Sequence, residues 1–432
     1  MGRLTYQPGD VEISAIDLID IDGRKKPISI KDLVQNIDIF ESIMSPVILG
    51  KVLITDSINL RETYALVNKC KIYFEFYLPF GTNVSVPLRK FELLVTGIEN
   101  EQPVTNATTQ QYTLNLCSIE ILDNSKQLFT LALTDKPIND YVLLIMKDVL
   151  KTKKNVSLDP SGTKGVQNVS PNQVKPLQSI DFLRRKAVSP KYKSSTFTFF
   201  ENKMGFNFYP IEYMFERPEG KLQDALFFYD SDVSTDVTNI SFRNILSYVH
   251  VTQQSTAKLV QNGALNNTTV SIDLRTRSLN TTEFNIRKDQ DNLTFMGKNN
   301  MGFNTSSFEV DFAKLSTTNY YLIKSSNNPE TYEDEKIGYS KAFTELLTQN
   351  ILRIMTWGDS MLSAGYRVDC RLPAFNGLTS QSGKPKSNTS KLVSGEYLIS
   401  SLRHMFTKLQ GRYRYFNSME LIKGSFGESG SV

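Results

Sequence analysis

Histidine is almost missing from this chain of 432 residues, which carries only His250 and His404. There is no H-E-x-x-H zinc helix, and no G-x-S-x-G, G-x-x-x-x-G-K-[ST] or G-x-G-x-x-G stretch. His404 falls in the strand-like run "LRHMF" and reads as a half-buried structural residue. Cysteine is equally sparse. Cys70, Cys117 and Cys370 include no C-x-x-C pair, which excludes a disulfide framework or a cysteine-rich zinc site and leaves buried free thiols. No apolar run approaches the roughly 20 residues that span a bilayer. The opening "MGRLTYQPGDVEIS" has no apolar core for a signal peptide, and "MGRLTY" puts Tyr6 where myristoylation requires Ser or Thr. An excess of one charge is missing too: 49 basic against 45 acidic residues leave +4, which argues against a dedicated nucleic-acid binder. These absences lead us to expect a soluble protein of a reducing compartment, with no membrane partner.

What is present is ordinary globular material, 40% hydrophobic and 22% charged, in a length that suits two to four domains. Strand signals dominate the first part. "DVEISAIDLIDIDG" alternates and ends on a turn pair, and "NIDIFESIMSPVILGKVLITDS" is rich in β-branched residues, with Pro46 and Gly50 marking an edge or bend. "CKIYFEFYLPFGTNVSVPLRKFELLVTGIENE" and "QQYTLNLCSIEIL" add further strands. Short strands at this spacing predict a small barrel or sandwich over residues 1–133. The period then changes. "TDKPINDYVLLIMKDVLKTKK" reads as a helix with Asp135 as N-cap, residues 155–175 read as a long loop, and "SIDFLRRKAVSP" reads as a second helix capped by Ser179.

The next stretch, "STFTFFENKMGFNFYPIEYMF", holds its most polar residues together at its centre. It reads as a hairpin in which Phe197 and Phe199 share a face with Phe206 and Phe208, covered by Leu183 and Phe182 of the preceding helix. This connecting unit spans 134–235. Residues 236–290 are expected to lend strands to a second barrel. An irregular insertion and a long helix would fill 291–354, the helix carrying an apolar stripe of Phe343, Leu346, Leu347, Ile351 and Ile354. Residues 355–432 complete the second barrel and a tail, with "GYRVDCRLPAF", "GEYLISSLRHMF" and "RYRYFNSMELIKGSF" as strands. The loop between the first two holds Lys384, Lys386 and Lys391 and reads as a solvated arm. The fold class is therefore mainly β with α+β insertions.

Nothing in these residues points to catalysis, a cofactor or a metal. Carboxylates such as those of "YEDEKIGYS" read as a charged helix lead-in. An acid pair of the glycosidase kind leaves no sequence mark, so a β-rich glycan-degrading enzyme stays open as an alternative.

Three segments together carry a resemblance. "IFESIMSPVILGKVLITDSINLRE", with Glu41, Ser42, Ser45, Pro46, Gly50, Asp56 and Ser57 in place, resembles the first-barrel signature of the baseplate hub of contractile-tailed phages. "DFLRRKAVSPKYKSSTFTFFENKMGFNFYPIEYM" is similar to the helix and hairpin of that family, a unit shared in looser form with type VI secretion spikes. "GEYLISSLRHMFTKLQGRYRYFNSMELIKGSF" is similar to its closing strands.

The resemblance implies two tube-protein-like β-barrels joined by a helix–hairpin domain. It also implies a homotrimer whose six barrels form a pseudo-sixfold ring between the sixfold tail tube and the threefold central spike. The expected partners are further copies of the chain, the tail tube protein, the spike, baseplate wedge proteins and the tape-measure protein. Double-stranded DNA would pass transiently without specific binding. On this reading Glu41, Ser45, Pro46, Gly50, Asp56, Lys384 and Lys386 are candidates for subunit or tube interfaces, and the location is the tail baseplate of a virion assembled in the bacterial cytoplasm. The hub of a phage-derived injection device or type VI system is the alternative within the same class.

Overall fold

The computed structural model describes residues 9–78, 89–104, 109–217, 226–228, 243–252, 256–285, 318–324, 333–373 and 393–423, less positions 129, 131, 171, 275 and 349. The first region contains β1 (Glu12–Asp20), β2 (Ile28–Ser29), β3 (Val34–Ser42), β4 (Leu49–Asp56), α1 (Leu60–Thr63), β5 (Cys70–Tyr77), β6 (Arg89–Pro103) and β7 (Gln110–Ser118). Alternation is clearest in β5. In β5, Cys70, Ile72, Phe74 and Phe76 are buried and the residues between them are half-buried.

The middle region follows with α2 (Glu120–Lys126), β8 (Leu133–Lys136), α3 (Ile138–Leu144), β9 (Val156–Leu158), β10 (Gln167–Val169), α4 (Pro176–Lys186), β11 (Phe197–Asn202), β12 (Gly205–Pro210) and α5 (Ile211–Glu216). The last region holds β13 (Leu226–Phe228), β14 (Asn244–Thr252), α6 (Thr256–Gln261), β15 (Asn266–Asp273), β16 (Ser278–Asn285), β17 (Thr318–Lys324) and α7 (Glu333–Leu347). It ends with β18 (Asn350–Trp357), β19 (Arg367–Arg371), β20 (Gly395–Leu409) and β21 (Arg412–Ile422).

Thirteen strands form one continuous sheet that closes on itself twice. In the first ring the order is β20-β3-β4-β7-β6-β5-β1, with β2 on the outer edge. The ring closes where Gly9 and Asp10, just ahead of β1, meet β21, through the Asp10–Arg414 bridge and a 2.8 Å hydrogen bond from the Tyr415 N–H to the Gly9 carbonyl. In the second ring β19-β13-β14-β18-β21-β20 returns to β19, because β20 also pairs with β19.

The β20–β21 hairpin is therefore a wall of both barrels. On β21 the inner residues alternate without a break: Tyr413 and Tyr415 face the first core, and Met419 and Leu421 face the second. On β20, Tyr397 and Ile399 line the second core, and a bulge between Ile399 and Ser401 shifts the phase so that Leu402, His404 and Phe406 point inward. At the midpoint His404 and Asn417 lie opposite each other, both buried.

Between the rings sits the helix–hairpin region. Phe199 lies opposite Phe208, and the rings stack along the diagonals, Phe197 on Phe208 and Phe199 on Phe206. These four phenylalanines share one core with Leu183, Ile180, Tyr141 and Ile145. Phe200 and Tyr209 face the opposite core, which includes Met214, Phe343 and Leu347. Phe182, expected as cover, instead points outward with 47% exposure and carries the Lys186 ammonium over its ring.

Several expectations need correction. The chain around Asp135 is strand, with Asp135 in the left-handed region at φ 56, and the helix begins after Pro137. Ser179 lies inside α4, which starts at Pro176. The span 155–175 contains β9 and β10, and β9 adds to β12 in parallel because Val156 and Leu158 reach the hairpin's core. The long helix stops at Leu347; Ile351 and Ile354 lie in β18, where β-branched side chains fit a pleated, half-buried surface. Among the described strands within 236–290, only β14 enters the second ring. β15 and β16 join β17 in a separate sheet on α7, because the inward residues of β15 are the polar Asn267, Thr269 and Ser271, unsuited to an apolar barrel lumen. β13, within the span read as connecting domain, pairs with β14 and β19.

Candidate functional site

The tip of the aromatic hairpin reaches the joint between the two rings, and the polar residues at its centre lie there. Gly205 makes the turn possible. Its φ is +116, and a Cβ there would stand 2.4 Å from the Asn155 carbonyl oxygen. Asn202 Nδ2 donates to the Ala364 carbonyl at 3.1 Å, while its Oδ1 accepts the Met204 N–H at 3.0 Å. Lys203 Nζ donates to the carbonyls of Ser360 at 3.1 Å, Leu362 at 3.3 Å and Met361. Burial pulls the Lys203 amine down to about 8, helped by the nearby Arg89 charge.

Glu41 ties the three units together. From β3 its Oε1 accepts the Lys203 N–H at 3.1 Å, and its Oε2 accepts the Ser363 hydroxyl at 2.6 Å and the Ala364 N–H at 2.9 Å. His404 Nε2 stands 3.7 Å from Oε1, and His404 Nδ1 meets the Tyr415 hydroxyl at 2.7 Å. Burial would push the Glu41 carboxyl up, but His404, Ser363 and Ala364 together hold it below the usual range.

A second buried constellation begins one residue before Asn202, at Glu201 on β11. Glu201 Oε2 accepts the Ile48 N–H at 3.0 Å and the Ser118 hydroxyl, and its Oε1 lies 2.6 Å from Lys154 Nζ. Lys154 also pairs with Glu120 Oε2 at 2.7 Å, and Glu120 Oε1 accepts the Thr152 hydroxyl at 2.7 Å. Burial raises the Glu201 carboxyl. It would lower the Lys154 amine, but Glu201 and Glu120 outweigh it and raise that group. Both carboxylates are almost fully buried, so each depends on these partners. Among the described residues no group of three His, Cys, Asp or Glu side chains could hold a metal. The arrangement suits clamping of three units in fixed register.

The expected interface residues separate under this geometry. Glu41 is the clamp itself. Gly50 packs inside the first ring, where a Cβ would meet Leu93, the Asp38 carbonyl and Leu116 within 3.1–3.3 Å. Asp56 is buried and accepts the N–H groups of Ile58 at 3.0 Å and Leu60 at 2.8 Å and the Tyr112 hydroxyl at 2.9 Å. Within one chain these three already serve the fold. Ser45 is half-buried, with its hydroxyl on the Val47 carbonyl at 2.7 Å, and Pro46 is exposed. Pro46 lines a groove of about 350 Å³ with Met44, Ile121, Leu177 and Phe199. Lys384 and Lys386 lie outside the described residues. Sequence reasoning did not single out Lys154, Glu120 or Glu201; the visible signal was the polar trio Glu201-Asn202-Lys203 inside an aromatic run.

No protein-family model matches the chain, and neither does any curated protein. Among solved structures, the tail protein from Neisseria meningitidis MC58 superposes with a TM-score of 0.52 at 10% identity, over 95% of this chain and 96% of that one. The 43 kDa tail protein of prophage MuSo2 from Shewanella oneidensis gives 0.53 at 9% identity, over 95% and 98%. The chain has the fold of these tail proteins along nearly its whole length.

Proposed function

We propose that this protein is the central hub of a phage tail baseplate, a homotrimer that adapts the sixfold tail tube to the threefold spike and lines part of the DNA ejection channel. The observation that carries the reading is the pair of closed strand rings built on one shared hairpin in a chain with a tail-protein fold. Two barrels per chain become six in a closed threefold ring, which matches sixfold and threefold neighbours at once. The clamped joint supports this role, since an adaptor must hold its two barrels at one spacing. Tube, spike, wedge and tape-measure proteins are the partners we assign. Pro46, which lines the Met44 groove, and the half-buried Ser45 before it are the surface we assign to subunit or tube contact.

The role is structural and non-enzymatic, in a virion. Native mass spectrometry of the chain, alone and with its spike, should find three copies; a monomer in the assembled particle would rule the hub out. A peptidoglycan or capsule zymogram should show no clearing. Duplex DNA should bind the trimer no more tightly than the roughly 10⁻⁴–10⁻⁶ M of non-specific binders near 150 mM salt.

A further inference from the structure

One edge of the aromatic hairpin is open. β11 ends the β11-β12-β9 sheet, so one side of its backbone has no partner strand among the described residues. The Ile211 N–H donates to the Thr196 carbonyl at 3.3 Å, one pair beyond Phe197–Pro210, so the even-numbered residues of β11 bond across the hairpin. The odd-numbered ones face away. The Phe197 carbonyl accepts Arg184 Nη1 at 3.3 Å, and opposite Phe199 the Phe208 carbonyl accepts the Asp159 N–H at 3.1 Å. The N–H and C=O of Phe199 therefore point to the open edge, and no described residue bonds them. Backbone groups of a residue this buried need partners.

Phe199 lines the groove of about 350 Å³ that holds Met44 and Pro46. Successive side chains of β11 take opposite faces: Phe200 shares a core with Ile43, and Phe199 shares one with Leu177 of α4. A chain laid along the open edge would thus meet Ile43 and Met44 on one face and α4 on the other. On the α4 side Asp181 lies 2.6 Å from both Arg184 and Arg185, and one carboxylate against two guanidiniums leaves that wall net positive. The Arg185 side chain is 70% exposed. We propose that this groove receives an extended segment of a partner protein, paired as an added strand on β11, with apolar side chains toward Ile43 and Met44 and carboxylates toward Arg184 and Arg185. Main-chain bonds to Phe199 give such a segment its register, and the alternating walls select its side chains. The strands of a second copy already belong to their own sheets, whereas a free segment can pair on arrival. The proposal rests on the contact role of the Pro46 groove in the hub.

The test titrates the full chain with acetyl-Val-Glu-Val-Glu-Val-amide, read by ligand-observed NMR. Alternation puts its valines on one face and its glutamates on the other. Each of three controls removes one feature: lysine replaces glutamate, serine replaces valine, or every peptide N–H is methylated. The probe should saturate with a Kd about tenfold or more below each control. Equal binding of any control, or no saturable binding of the probe, would overturn the assignment. Arg185→Glu changes an exposed side chain and should keep its Tm while weakening probe binding about tenfold. An unchanged affinity in that variant sinks the idea equally. If Met44→Glu dissociates oligomers of the chain alone, a second copy fills the groove and the partner assignment is wrong. Failure here and failure of the hub are separable: a trimer that ignores the probe loses only the groove, and a monomer that binds it loses only the hub.

Discussion

Two hairpins cross the joint between the barrels, and they solve the same problem in opposite ways. From Leu402 through the turn to Glu420 the β20–β21 hairpin is buried on one face only, while at its far end Leu398, Ser400 and Ile422 are buried on the other face as well. Over that length its outward residues, such as Arg403, meet solvent, and along the whole hairpin the inward residues supply two barrel cores in turn, with His404 and Asn417 at the changeover. The β11–β12 hairpin is buried on both faces, so that all twelve of its strand residues are covered. A strand with one wet face can place charge anywhere along that face. A strand without one can place charge only where it leaves the core, and Glu201 and Lys203 stand at that end with every partner in place. The long hairpin joins the rings through the covalent chain and backbone pairing, and the short one through buried charge.

That contrast sets an order of mutational effects. Lys154→Ala strands the carboxylates of Glu120 and Glu201 and should cost about 3–5 kcal/mol, toward the lower end because the lysine side chain keeps 32% exposure. Urea unfolding would measure it, and a loss like that of a surface lysine would mean the short hairpin is held by packing alone.

At the other end of the same hairpin, burial raises the Glu212 carboxyl from 4.5 to about 7. Between those values the folded chain keeps a proton that the unfolded chain has released, so stability falls as pH rises across that window and is level above it. Glu212→Gln has no such proton to lose, and should be more stable than the parent above pH 7 by up to about 3 kcal/mol, with the slope between pH 4.5 and 7 reduced. Parallel pH profiles for the two proteins would refute this.

On the long hairpin, His404→Leu leaves the buried Tyr415 hydroxyl without its imidazole partner and should cost roughly 1–3 kcal/mol. Smallest is Arg403→Ala. Although Arg403 meets Asp38 through two bonds of 3.0 and 2.8 Å, it is 43% exposed, and the loss should stay under about 1 kcal/mol. If Arg403→Ala cost more than Lys154→Ala, the comparison of wet and dry hairpins would be wrong.

Local pattern carried much of this fold. Alternation in "CKIYFEFY" and the paired aromatics around Asn202-Lys203 are written within a few residues, so strand, turn and facing side chains could be read directly. The stripe from Phe343 to Ile354 misled because Ile351 and Ile354 continue a helical spacing by coincidence, although they belong to a strand paired with β14 and β21. The clamp was beyond reach for a different reason. Glu201 bonds the backbone of Ile48, and Glu41 bonds Ser363, partners separated by 153 and 322 positions that no local period links. Lys154 looked like one lysine among several at a helix end.

The shared hairpin also has a mechanical meaning. A strand pair clamped into two barrels behaves as a beam fixed at both ends, and its ladder runs from Leu398–Ile422 to Leu409–Arg412 without a flexible link. Twisting one ring against the other would shear many backbone bonds together, whereas a linker would yield at one residue. A push on the first barrel is therefore delivered to the second with little lost to bending, and motion under load is directed to the outer contacts of the chain.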